Sequence, residues 1–116
     1  MEKVFVYGTL KEGFSNHFIL RETVKIGSGL TKKKYAMYSH GIPFLVENEK
    51  VSKITGELYM VDKTTFEVLD MLEGHPNWYI RKLVSVNIKN EEHKAWVYFN
   101  KKQGQLIKSG NYAKTY

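Results

Sequence analysis

Apolar and polar positions along the chain fall into short runs of two kinds. Val4-Phe5-Val6-Tyr7 is continuous, β-branched and aromatic, and it stops at Gly8, which predicts a buried strand entering a loop. Lys34 to Tyr38 alternates, and Ile54 to Val61 reads as a further strand with Gly56 inside it as a bulge or bend. Leu83 to Ile88 alternates cleanly, Asn90-Glu91-Glu92 turns the chain, and Ala95 to Phe99 returns, so this pair predicts a hairpin. Helical spacing appears at Phe66, Leu69 and Leu72. Asp62 to Thr65 offers caps there, Thr64 and Glu67 have capping-box spacing, Gly74 supplies a stop and Pro76 blocks continuation. Ser15 is placed to cap a shorter helix through Phe18, Ile19 and Leu20. The sum is an α+β fold: a small mixed β-barrel or curled sheet of about six strands with one or two flanking helices.

Composition narrows the function classes more than the fold. The 116 residues suit one domain, 1–116, with no linker, repeat or low-complexity segment. There is no cysteine, which removes disulfide frameworks, thiolate nucleophiles and cysteine-ligated metals. No apolar run approaches the roughly 20 residues that span a bilayer, and the N-terminus has no secretory apolar region, so a cytoplasmic protein without a membrane partner is expected. The net charge is +6 and the isoelectric point about 9.4. The lysines are spread along the chain, and the longest basic run is Lys32-Lys33-Lys34, so the charge reads first as a solvated cationic surface and only second as a nucleic-acid footprint.

The common catalytic signatures are missing. No two of His17, His40, His75 and His93 have metal-ligand spacing, so no metal is expected. Gly27-Ser28-Gly29 lacks the spacing and context of a nucleophile elbow and reads as a turn. Gly8 and Gly13 are too far apart for a phosphate or dinucleotide loop. Tyr35, Tyr38, Tyr59, Trp96 and Tyr98 fit either a core or a base-stacking sheet face.

Two segments break local expectations. Glu73 is the last helical residue before the Gly74 stop, so its charge faces the negative end of the helix dipole. It also follows Leu69 by four and Phe66 by seven residues, on the helical face expected to be buried. Such a carboxylate has a raised pKa and suits general acid–base chemistry near neutral pH. The bland alternative is that it frays into solvent or pairs with Arg81 or a lysine. The second segment is Tyr7-Gly8-Thr9-Leu10, where a strand exit can aim several backbone N–H groups at one spot. An ordinary strand-to-loop exit is the alternative.

Taken together, Val4 to Lys11 and, some 60 residues later, Leu69 to Arg81 resemble the gamma-glutamylcyclotransferase-like family, above all its short gamma-glutamylamine cyclotransferases and bacterial relatives. Asn16-His17, Ile42-Pro43-Phe44-Leu45 (similar to that family's central loop), Gly56-Glu57-Leu58-Tyr59 and Gly110-Asn111-Tyr112 extend the resemblance over nearly the whole chain, with Asn111 in place of the family's acid. The resemblance implies a small mixed barrel, no metal and no cofactor. It implies a gamma-glutamyl substrate cyclised to 5-oxoproline with release of an amine. It assigns Glu73 as the acid–base residue and Tyr7, Gly8, Thr9 and Leu10 as the substrate loop, with Tyr79 and Tyr112 as further substrate contacts. Asp70 is either coupled to Glu73 or a solvated helix residue. His17 either shapes the loop or is a surface residue. The chain is expected to act as a monomer or weak homodimer on a small molecule, without nucleic acid. A binding module of the same fold and, more distantly, a nucleic-acid binder are the alternatives.

Overall fold

The computed structural model describes residues 1–113, so positions 114–116 of the expected domain lie outside the described residues. Strand β1 (Glu2–Val6) leads through a loop and a 3-10 turn (His17–Leu20) into β2 (Val24–Ser39). Then follow β3 (Pro43–Val46), β4 (Ser52–Val61), helix α1 (Lys63–Glu73), β5 (Ile80–Ile88), β6 (Glu91–Phe99) and β7 (Gln105–Leu106). Neighbours run β2-β4-β1-β6-β5, and β5 pairs back onto β2, which closes a five-stranded barrel. β1 and β6 are parallel, and the other pairings are antiparallel. β3 and β7 pair with the far end of β2.

The expected mixed barrel is present, with seven strands among the described residues instead of about six. β1 is apolar on both faces because both are covered. Phe5 points into a core cluster fed by all five barrel strands, and Val4 and Val6 join an outer layer with Leu69 of α1, Tyr79 and Tyr98. Tyr35, Tyr38, Tyr59 and Tyr98 are buried in these layers, so they form no exposed stacking surface.

Several local readings change. Gly27-Ser28-Gly29 is no turn but lies inside the 16-residue β2, where it faces β4 and β5 at the barrel seam. Gly56 marks no bulge. It lies opposite Gly29, and a Cβ there would meet Val6 O at 2.5 Å. The irregularities lie in β2 instead, at Lys25/Gly27 and Leu30/Lys34. The second is tied by buried Thr31, whose Oγ1 donates to Lys33 O and accepts from Ile54 N. The segment around Pro43–Val46, similar to a family loop, pairs with β2 as β3. The hairpin turns at Lys89-Asn90, both with positive φ, so Glu91 and Glu92 already belong to β6.

At α1 the cap is Asp62, whose carboxylate accepts from Thr65 N at 2.8 Å, in place of the Thr64–Glu67 box. Ser15 caps nothing. Asn16 precedes the first turn, which is 3-10 and has no side-chain cap. Gly74 ends α1 in the left-handed region (φ 66°), with Gly74 N bonded to Met71 O and His75 N to Asp70 O. No helix among the described residues is long and apolar enough to cross a membrane.

Candidate active site

The end of β1, the end of α1 and the start of β5 converge on one cavity of about 100 Å³. Tyr7, Gly8, Thr9, Leu10, Glu73 and Tyr79 all line it. Six of the seven expected site residues, drawn from two segments more than 60 residues apart, are thereby brought together. Tyr112 is not. Its ring packs on Phe14 at 5.6 Å, away from the cavity lining.

Glu73 is half-buried, and burial alone pushes its carboxyl up to about 7. Arg81, the cation nearest in sequence, is taken by Asp70: Arg81 Nε donates to Asp70 Oδ1 at 2.8 Å and Nη2 to Oδ2 at 3.2 Å. No hydrogen bond or ion pair holds the Glu73 carboxylate among the described residues. The reading in which Glu73 pairs with Arg81 therefore fails.

The fixed loop opposite Glu73 has its carbonyls turned away from the cavity. Gly8 O accepts from Lys11 N, Thr9 O from Asn16 N and Leu10 O from His17 Nδ1 at 2.9 Å, which places the ring proton on Nδ1. The amides of Gly8, Thr9 and Leu10 donate to no acceptor among the described residues. Three N–H groups without protein acceptors, on a loop braced through its carbonyls at the cavity wall, are left available to an anionic group. His17 is thus a loop brace, with its ring tilted against Tyr59 at 5.9 Å. Asn16 Nδ2 adds a bond to Thr9 Oγ1. Gly8 is needed for packing, because a Cβ there would lie 2.5 Å from Cγ of Pro43 on the facing wall.

Two phenols complete the lining. Tyr7 donates to Tyr98 O at 2.8 Å and Tyr79 to Pro43 O at 3.0 Å. Burial, reinforced by the nearby Glu73 charge, raises both phenols above their ordinary value, so they stay neutral. Their protons are committed to carbonyls, and both side chains line the cavity as neutral groups.

Behind the lining lies a network that sequence reasoning missed. Tyr98 donates to Asp70 Oδ1 at 2.7 Å, and the Arg81 guanidinium lies over the neighbouring rings of Phe66 (4.4 Å) and Trp96 (4.5 Å). Burial works against the Asp70 charge, but Arg81 and Tyr98 outweigh it and hold the carboxyl below its ordinary value. Asp70 is therefore no solvated helix residue. It pins the last turn of α1, which carries Glu73, to β5 and β6. Arg81→Met is expected to lower stability by about 1–2 kcal/mol in chemical denaturation, because it strips a charged hydrogen-bond pair and two ring contacts.

The C-terminal segment braces the loop from outside. Buried Lys11 donates to Tyr112 O at 2.7 Å and to Asn111 Oδ1 at 3.3 Å, so Asn111 accepts from this lysine where the family pattern has an acid. Pro43 and Trp78, which lie inside the segments that resemble the family, and Tyr98, which does not, also line the cavity without having been expected there. The alternation of β6 was the available signal for Tyr98, since it sets that ring opposite the barrel-facing Val97 and Phe99.

The chain is similar to known proteins over nearly its whole length. The family described as gamma-glutamyl cyclotransferase, AIG2-like, matches residues 4–114. A Methanocaldococcus jannaschii protein provisionally named a gamma-glutamylcyclotransferase is 51% identical over 115 residues, covering 97% of this chain and 96% of that one. The gamma-glutamylaminecyclotransferase of Rattus norvegicus is 33% identical over 97 residues, 76% of this chain and 65% of that one. The crystal structure of an AIG2-like protein from Mus musculus superposes with a TM-score of 0.86 at 27% identity, covering 97% of this chain and 88% of that one.

Proposed function

The chain belongs to the gamma-glutamyl cyclotransferase, AIG2-like family, and from that premise we propose that it cyclises the gamma-glutamyl group of a gamma-glutamylamine or gamma-glutamyl-amino acid. The products are 5-oxoproline and a free amine. The observation that carries this reading is a carboxylate without a partner, facing three unoccupied backbone amides across one small cavity.

The substrate brings its own nucleophile, so positioning and proton transfer are what the protein supplies. The Gly8, Thr9 and Leu10 amides hold the anionic end of the glutamyl group. Glu73 takes a proton from the α-ammonium, and the free amine attacks the γ-carbonyl, forming the ring C–N bond. The bond from the γ-carbon to the leaving nitrogen then breaks as Glu73 returns this proton to it, and the second surplus proton of the ring nitrogen passes by the same carboxylate to the freed amine, which departs as an ammonium. Atoms and charge balance without a further reactant. One carboxyl serves both transfers because burial sets its pKa near neutrality. The neutral phenols of Tyr7 and Tyr79 flank the glutamyl chain without adding charge.

The test is 5-oxoproline release from a panel of gamma-glutamylamines, gamma-glutamyl-amino acids and glutathione. Release from one class supports the reading and names the leaving group. No release from any donor by the folded protein overturns it. Because the working form of Glu73 is the carboxylate, kcat/KM should rise about tenfold per pH unit below pH 7 and level off above it. An acid limb centred near pH 4.5 would mean that burial does not tune this group.

A further inference from the structure

We propose that the leaving amine is bound in a second, larger groove that starts at Trp78 and runs along β5, and that this groove selects amines with an extended apolar or aromatic body. The inference rests on the cyclotransferase reading and adds the leaving-group class to it. The catalytic cavity, at about 100 Å³, accommodates little beyond the glutamyl group. Whatever departs from the γ-carbonyl must project through the mouth, where Ile42 (36%), Leu72 (40%) and Trp78 (47%) are all partly exposed. Solvent-facing apolar side chains gathered at one opening mark a ligand path more often than chance exposure.

Trp78 belongs to both spaces. On its other side lies a groove of about 550 Å³ lined by Ile80, Phe99 and the stems of Lys82 and Lys101. The indole is held in place, edge-on to Phe44 at 5.9 Å and to Tyr79 at 5.0 Å, so it offers a fixed flat wall. Ile80 continues that wall and is 48% exposed. The acids along the groove are paired, Glu47 with Lys82 and Glu49 with Lys102, so neither is left to receive a second ammonium group. The groove therefore rewards apolar area on the leaving group rather than positive charge.

The probes are gamma-glutamyl-methylamide and gamma-glutamyl-phenethylamide. Their amines are similarly basic, so a difference in kcat/KM reports binding of the leaving group. Wild-type protein should favour the phenethylamide by about tenfold or more in kcat/KM. Ile80→Ser, which lies in the groove and outside the catalytic cavity, should lower the phenethylamide value about threefold to tenfold and leave the methylamide value within about twofold. Trp78→Ala should lower the phenethylamide preference further. Equal kcat/KM for both donors in the wild type, or a preference that survives both substitutions, overturns the groove while leaving the cyclotransferase reading intact. No 5-oxoproline from either donor overturns the groove, and the cyclotransferase reading falls with it only if the gamma-glutamyl-amino acids and glutathione also release none from the folded protein.

Discussion

Replacing Glu73 with Gln is expected to lower 5-oxoproline release by about 10³–10⁴-fold while the barrel stays folded. Glutamine keeps the size of the side chain and its place at the end of α1, but it can neither accept the α-ammonium proton nor return one. The loss should fall on kcat, because the loop amides that hold the substrate are untouched. A second readout separates this residue from a structural one. Burial raises the folded pKa of Glu73 above its ordinary value of 4.5, so the native state favours the protonated form. Relative stability from this group is full below pH 4.5 and declines as pH rises toward 7, where the carboxyl ionises inside the cavity. Glu73→Gln should therefore melt above the wild type at pH 8, and the difference should close toward pH 4.5. A variant that loses activity and also melts lower at pH 8 would show that Glu73 supports the fold, and full turnover in the variant would remove it from the chemistry.

The second large effect is expected at the seam of the barrel. Gly29→Val should cost about 3 kcal/mol, lowering Tm by roughly 10 °C or more. A Cβ at Gly29 would lie 2.0 Å from Asn87 O and 2.8 Å from Ile88 Cδ1. Asn87 O is main chain and cannot rotate away. The closing pairing has only three residue pairs, Gly29 with Ile88, Leu30 with Asn87 and Thr31 with Val86, so few contacts remain to absorb the strain. Ser28→Val is the control. Its position in the same strand is exposed, and the change should stay within about 0.5 kcal/mol. Equal melting of the two variants would mean that the barrel does not depend on close approach at this seam.

Periodicity was informative where one side of an element meets solvent or where a stop signal is local. The Leu83–Phe99 hairpin and the Phe66–Gly74 helix are readable for that reason, since alternation and the left-handed Gly74 act over a few residues. β2 resisted the same treatment. Its polar, glycine-rich first half carries no alternation, because those positions serve cross-strand approach rather than a hydrophobic face. Glu73 was visible as a conflict between a carboxylate and an apolar helical face, and Tyr7 to Leu10 as a strand that ends on glycine. Leu72 shows the limit of spacing alone: it shares the expected buried face, yet it is 40% exposed at the rim of the cavity.

The sequence by itself thus determined the order of the principal elements, the Gly74 stop of α1, the two segments that meet at the cavity and the family. Each of these depends on neighbours within a few residues or on a motif. Tertiary structure alone decided that β5 returns to β2 across Gly29, that Arg81 is spent on Asp70 and not on Glu73, that the loop carbonyls are tied back while the amides stay free, and that Tyr112 backs the loop instead of lining the cavity. The seam, the Asp70–Arg81 pair and the Lys11–Tyr112 bond join residues 11 to about 100 positions apart, whereas the loop ties span only 3 to 7; all of them are settled by burial, sterics and competition for hydrogen-bond partners, none of which is written in the hydrophobic pattern.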